Sequence, residues 1–273
     1  MDFLEKQYHG QKKSYKDSSN IDLTEHREHL SMNSNFLDNI PLELFKRKKT
    51  LVHADGRVEC DAGKLINHSC EAISSDISFC NLPKQRKKFK KLNNFVSNLE
   101  NLPLKNKSVD NILIIDGLHH LPRPYMAIYE CMRVAKTALI LNEPDLRYQE
   151  CLYLKIKKII YLIWRGCSPK HWDYEPAGNY IYSINLQEML RLAHSLNLPF
   201  VGVKYLDYIV TRNQNTIYRS ATQVLLFILR FFRIRKHKNI IIYFSLSEDN
   251  DYEKRLLIKN RFKIIDLNKN PYI

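Results

Sequence analysis

No stretch of this sequence is long enough and apolar enough to cross a bilayer. The nearest, VLLFILRFF at 224–232, is about half of the ~20 apolar residues a spanning helix needs. The N-terminal run MDFLEKQYHGQKKSYKDSS holds no apolar segment of the kind a secretory signal requires. None of the six cysteines stands in a CxxC pair, which argues against zinc knuckles and thioredoxin-type motifs, and no metal site is expected. Scattered thiols without a signal fit a reducing, cytoplasmic setting. No internal repeat or low-complexity linker occurs. Glycine is rare, at seven residues in 273, so a loop that needs several left-handed positions has few residues suited to them.

Positive charge is plentiful. The formal net charge is +14, while the apolar fraction of 44% and charged fraction of 26% are those of a soluble globular protein. Three basic clusters stand out: KRKK at 46–49, KQRKKFKK at 84–91 and RIRKHK at 233–238. They are separated in sequence, and no recognisable nucleic-acid module surrounds them. They read as solvated faces, and nucleic acid is not expected as a partner. The third cluster follows VLLFILRFF, so residues 224–238 can make a peripheral membrane contact. Packing of that helix on the domain is the preferred reading.

Short apolar runs alternate with helical patterns. TLVHAD at 50–55, EAISSDIS at 71–78 and NNFVSN at 93–98 read as strands, with a helix in AGKLINHSC at 62–70. VDNILIID at 109–116 is a nearly continuous apolar run, the pattern of a strand buried on both faces of a parallel sheet. PYMAIYECMRVAK at 124–136 has helical spacing with Pro at the first position, and TALILNEPD at 137–145 is a strand stopped by Pro144. The alternation predicts an α/β fold with a doubly wound, mostly parallel sheet. Ligands of such sheets bind beyond the carboxyl ends of the strands. Asp76, Asn98, Asp116 and Glu143 all fall there.

Residues 145–166 read as a helix, and Asn185 is a candidate N-cap for another over about 186–197. The tail returns to sheet, with strands at 239–246 and 263–267 around a helix at 251–262. The expected division is a helical lead-in at 1–45, a cofactor-binding core at 46–145, a helical insert forming a substrate wall at 146–238, and C-terminal strands at 239–273.

The stretch 98–145 carries Leu102-Pro103-Leu104, Ser108-Val109-Asp110, Leu118-His119-His120-Leu121 and Arg133-Val134 in order. With these pieces the chain resembles the class I S-adenosylmethionine-dependent methyltransferases. The family has a Leu-Pro-Phe-like loop, a Ser-Phe-Asp-like start to strand four, Leu-His-His-Leu at its exit and a helix ending in Arg-Val. The resemblance implies a Rossmann-like, seven-stranded sheet and S-adenosylmethionine as cofactor.

The resemblance also implies roles. Asp116, His119 and His120 would sit where the methyl group is transferred, and a histidine there could take a proton from a hydroxyl. His119, nearer the strand end, is the preferred base, with His120 turned toward the following turn. In the family, strand one leads into a glycine-rich loop. Here two registers are open: Asp55-Gly56, or VECDAG with Gly63. The first is preferred because Gly56 and Asp76 are 20 residues apart, about the spacing between a dinucleotide glycine loop and its ribose-binding acid. Asp76 would hold the ribose hydroxyls, Asn98 the adenine amino group, and the Leu99 backbone the adenine ring. Trp172, Asn179, Tyr180 and Tyr182 would line the acceptor site. The expected activity is methylation of a small-molecule or glycan hydroxyl, and the alternative is a pseudo-methyltransferase acting as a binding or scaffolding subunit.

Overall fold

The computed structural model describes residues 39–165, 174, 180–207, 216–248, 250–269 and 271. Its centre is an eight-stranded sheet: β1 (Lys49–His53), β2 (Glu71–Asp76), β3 (Asn93–Val96), β4 (Val109–Ile115), β5 (Ala135–Pro144), β6 (Phe200–Leu206), β7 (Asn239–Ser245) and β8 (Lys263–Asp266). The spatial order is β3-β2-β1-β4-β5-β7-β6-β8. The strands β1 to β5 run parallel, β7 is antiparallel to both β5 and β6, and β8 is antiparallel to β6.

Helices cover both faces. They are α1 (Asp61–Asn67), α2 (Leu82–Lys88), α3 (Pro124–Val134), α4 (Leu146–Gln149), α5 (Leu152–Arg165), α6 (Leu186–Ser195), α7 (Thr216–Phe231) and α8 (Asp251–Lys259). The alternation of strand side chains divides the core. Ile112 and Ile114 of β4 pack with Ile128 of α3 and Met189 of α6, whereas Leu113 and Ile115 pack with Leu65 of α1 and Leu257 of α8. Burial on both sides explains why β4 and β7 read as unbroken apolar runs.

The sheet has eight strands where seven are expected. The additional strand is β6, which lies inside the range 146–238 assigned to a helical insert. Phe200, Val201, Val203 and Leu206 are buried while Lys204 and Tyr205 are half-buried, so the segment lacks both a clean alternation and a long apolar run. Gly202 lets α8 come close: a Cβ there would lie 3.3 Å from Leu257 Cδ1. The Asn185 N-cap is present, its side chain accepting from Gln187 N–H at 2.9 Å. Of the N-terminal segment, 1–38 lie outside the described residues. Leu42–Leu44 form a 3-10 turn, and Ile40, Leu44 and Phe45 are buried against the sheet.

The family-like pieces of 98–134 interlock. Arg133 donates to the carbonyls of Leu104 at 2.9 Å and Leu102 at 3.3 Å, and Glu130 accepts from Leu102 N–H at 2.8 Å. The end of α3 therefore clamps the loop that leads into β4.

Candidate active site

The carboxyl ends of β1, β2, β4 and β5 converge on one edge of the sheet, and each exit carries an acidic residue. At the β5 end, Glu143 is fully buried. Its carboxylate accepts from the N–H groups of Gly117 at 2.9 Å and Leu118 at 2.7 Å. His119 Nδ1 lies 2.6 Å from its second oxygen. These bonds fix the 3-10 turn Leu118–His120 at the exit of β4. Asp116 makes that turn possible by adopting φ 48, a left-handed conformation that Asp tolerates better than most residues. It accepts from Asn239 Nδ2 at 3.1 Å. Burial, reinforced by the nearby Glu143 charge, raises the Asp116 pKa.

The tight turn corrects the expected divergence of the two histidines. The rings of His119 and His120 are 4.0 Å apart, tilted by 42°, so they form a pair. His120 also acts on Asp76, whose carboxyl pKa is pushed up to about 6 by burial and held down in part by N–H groups of Ser78 and Gly56 and by His120.

At the β1 exit the backbone makes a left-handed turn. Ala54 has φ 58, which costs a non-glycine residue ~1–2 kcal/mol. Gly56 follows, and a Cβ there would fall 2.7 Å from Asp76 Oδ2. Glycine is therefore needed at 56 for the β1 loop to lie against Asp76, which favours the Gly56 register. Gly63 lies within α1, with Phe89 where its Cβ would be. Asp55 is buried, and its carboxylate accepts from the N–H groups of Asp61 at 2.7 Å and Ala62 at 3.0 Å, at the start of α1. Burial, then the Asp61 charge, pushes its pKa up to about 7.

Asn98 closes its own turn, its side-chain oxygen accepting from Glu100 N–H at 2.9 Å. Leu99 is buried in the core. Tyr180 and Tyr182 line an open cleft of about 230 Å³, together with Leu146, Gln149 and Glu188. The cleft adjoins the histidine turn, because Tyr182 N–H donates to the His119 carbonyl at 3.1 Å. Trp172 and Asn179 lie outside the described residues. Asp55, Gly56, Asp76, Asp116, His119 and His120 are thus gathered at one edge, with the tyrosines beside them.

Two residues of this edge had no role in the sequence reading. Glu143 was located at a strand end, but its partners were not. An acidic residue inside the buried run ALILNEP is the signal, since a buried carboxylate must find donors. His53 is buried at the end of β1, bonded through Nδ1 to Ser75 Oγ at 2.8 Å, and burial lowers its pKa to about 3. A histidine within TLVH is the corresponding signal.

Residues 56–139 match the model of a methyltransferase domain, a span that begins at Gly56 and includes the histidine turn. Over that stretch the chain is similar to a methyltransferase domain. No curated protein matches it significantly. Solved structures share the fold. A Thermotoga maritima S-adenosylmethionine-dependent methyltransferase is 14% identical with a TM-score of 0.54, covering 88% of this chain and 100% of that one. An Archaeoglobus fulgidus S-adenosylmethionine-dependent methyltransferase is 13% identical with a TM-score of 0.53, covering 80% of this chain and 94% of that one. A chain from the Haloferax volcanii complex of the Trm112 methyltransferase activator with a methyltransferase is 10% identical with a TM-score of 0.55, covering 87% of this chain and 97% of that one.

The cofactor that such a domain implies is S-adenosylmethionine, and the β1–β2 exits fit its ribose end. Gly56 leaves space where a side chain would fill the site. The Asp76 carboxylate accepts from Ser78 N–H at 2.8 Å and is also stabilised by Gly56 N–H, and a carboxylate has about four acceptor positions.

Proposed function

We propose that this methyltransferase acts on a hydroxyl of a small molecule or glycan, with His119 as the general base. The observation that carries the reading is the His119–Glu143 pair. A carboxylate only accepts, so Nδ1 of the neutral ring holds the hydrogen and Nε2 is the acceptor nitrogen. A base of this kind suits a hydroxyl, which must lose a proton as it is alkylated.

S-adenosylmethionine supplies an electrophilic methyl group when bound. The chain's own residues would do the rest. Asp76 would accept from the ribose hydroxyls, and Asp55-Gly56 would form the loop beside them. Asn98 and the Leu99 backbone would meet the adenine, the Asn98 oxygen using its second lone pair beside the Glu100 bond for the adenine amino group. Asp116 and His120 would shape the floor beneath the methyl group. Tyr180 and Tyr182, with Trp172 and Asn179, would form the wall for an amphipathic acceptor, using aromatic faces for apolar contact.

A second reading is favoured by Asp55. Its carboxylate already occupies the N–H groups at the start of α1, where an anionic part of a ligand would otherwise bind. A chain in which that cap excludes the cofactor would be a pseudo-methyltransferase serving as a binding or scaffolding subunit.

Calorimetric titration with S-adenosylhomocysteine separates the two. The enzyme reading expects micromolar affinity, about −8 kcal/mol. No binding at millimolar ligand would establish the second reading. Given binding, transfer from labelled S-adenosylmethionine to a panel of hydroxylated acceptors follows. His119→Ala should lower turnover ~100-fold or more with cofactor affinity unchanged. Full turnover by that variant would remove the base.

A further inference from the structure

Two helices beside the strand exits turn their apolar faces outward. In α5, Leu152, Ile156, Ile159 and Ile163 are exposed, Ile163 by 78%. Their spacing places them on a single stripe. In α7, Val224, Phe227, Ile228 and Phe231 do the same, Phe231 at 73% exposed. Toward the protein, α5 buries Leu154, and α7 directs Arg230 onto Asp207. A surface helix ordinarily lays its apolar stripe on the core, so among the described side chains this arrangement is reversed in both.

The two helices are joined at one end. Tyr153 N–H donates to the Ile234 carbonyl at 2.9 Å, and the Arg235 guanidinium lies 5.0 Å from the Tyr148 ring centre. Leu152 and Phe231 are close in sequence to this junction. Exposed apolar surface of this extent marks an interaction site.

Charge selects the occupant. Residues 152–165 contain four Lys or Arg and residues 216–238 contain six, with no Asp or Glu in either. Lys155, Lys157 and Arg233 are exposed beside the stripes. A second copy would set exposed cations such as Lys155, Lys157 and Arg233 against their own counterparts, which opposes self-association. An anionic lipid surface offers negative headgroups and a hydrocarbon layer together. Among the described residues no helix is long and apolar enough to cross a membrane, so the helices would lie in the interface plane.

We propose that α5 and α7 form a docking surface for an anionic lipid membrane. The surface adjoins the cleft, since α4, whose Leu146 and Gln149 line it, precedes α5. The proposal stands apart from the hydroxyl reading.

Flotation of the full chain with phosphatidylglycerol-rich and with pure phosphatidylcholine vesicles tests it. Binding to the anionic vesicles should be at least ~10-fold tighter. Ile156→Ser with Ile163→Ser, and Phe227→Ser with Phe231→Ser, should each abolish it, and Lys155→Glu with Lys157→Glu should weaken it by ~10-fold. These positions are exposed, so the variants should keep wild-type thermal unfolding. S-adenosylhomocysteine binding is measured on the same samples, so a failed cofactor reading registers separately. A monomer that ignores anionic vesicles would point to a protein partner and overturn the proposal. A dimer dissociated by the serine variants would assign the face to a second copy, with the same consequence. Vesicle binding indifferent to the serine variants would reduce the effect to charge alone and also overturn it.

Discussion

His119 Nδ1 and Glu143 Oε2 are 2.6 Å apart in a buried pair that joins the exit of β4 to the end of β5. The same carboxylate holds the N–H groups of Gly117 and Leu118. It therefore organises both the turn and the ring orientation. Positioning the base and building the backbone under it are one structural act here.

That double role predicts the effect of Glu143→Gln. The amide has nearly the same shape and its oxygen can keep Gly117 and Leu118, both held on Oε1, but its NH2 would face the His119 backbone N–H and Nδ1. Leaving buried donors unmatched costs ~2–3 kcal/mol. Thermal unfolding should register a loss of that size, and turnover should fall along with it. An unchanged midpoint would mean that the turn stands without the carboxylate.

Asp76 should trade stability for binding. Its folded pKa of about 6 lies above the ordinary value of 3.8. The folded state thus holds the proton more tightly than the unfolded chain. The contribution to stability is full below pH ~4 and is lost as pH rises through 6. Asp76→Asn, which cannot ionise, should raise the stability of the cofactor-free chain at pH 7 by on the order of 2 kcal/mol. It should weaken S-adenosylhomocysteine by ~10-fold or more. Urea midpoints at pH 4 and pH 7 check the first part, since the gain should appear only at the higher pH. A gain of equal size at both would sink the assignment.

His53 has the opposite sign. Its folded pKa of about 3 lies below the ordinary 6.5. Between these values the unfolded chain takes up a proton that the folded chain refuses. Stability is full above pH ~6.5 and is lost as pH falls, by up to ~1.4 kcal/mol per unit. His53→Gln should flatten the fall in urea midpoint between pH 6 and pH 4. An unaltered slope would place the acid sensitivity elsewhere.

Much of this fold was legible because local signals agreed with tertiary fate. The run in β4 is apolar because both of its faces are covered, and Asn185 caps a helix where its position indicated. Where a segment's burial is mixed, as in Phe200–Leu206, the pattern carries no such signal and the strand is hidden within the expected insert. The site was legible as positions but not as partnerships. Asp76, Asp116 and the histidines follow strand ends, and a sequence reveals that. The bond from His119 to Glu143 spans 24 residues and depends on β4 lying beside β5. Likewise, the scarcity of glycine leaves few residues suited to left-handed positions. Ala54 shows that the backbone keeps a left-handed turn without one, supported by packing that no local pattern reports.

That packing gives a test of the β1 loop. A Cβ on Gly117 would fall 2.2 Å from the Ala54 Cβ, so the loops after β1 and β4 touch at these two residues. Gly117→Ala forces them apart and should cost more than ~2 kcal/mol, since neither backbone can move without disturbing the Glu143 bonds or the Asp76 contact. Ala54→Gly removes the methyl group and relieves a left-handed alanine, a gain of ~1 kcal/mol, offset by the lost contact and by greater freedom in the unfolded chain. Its net effect should be small. The informative variant is the double one. With glycine at 54, the new methyl at 117 can take the vacated space, so Ala54→Gly should recover most of the loss from Gly117→Ala. Residues in contact depart from additivity by 0.5–3 kcal/mol, and the double-mutant cycle should give a coupling near the upper end of that range. Chemical denaturation of the four chains measures it. Additive effects would mean that the two loops do not meet at these residues, and that the left-handed Ala54 is held by something other than Gly117.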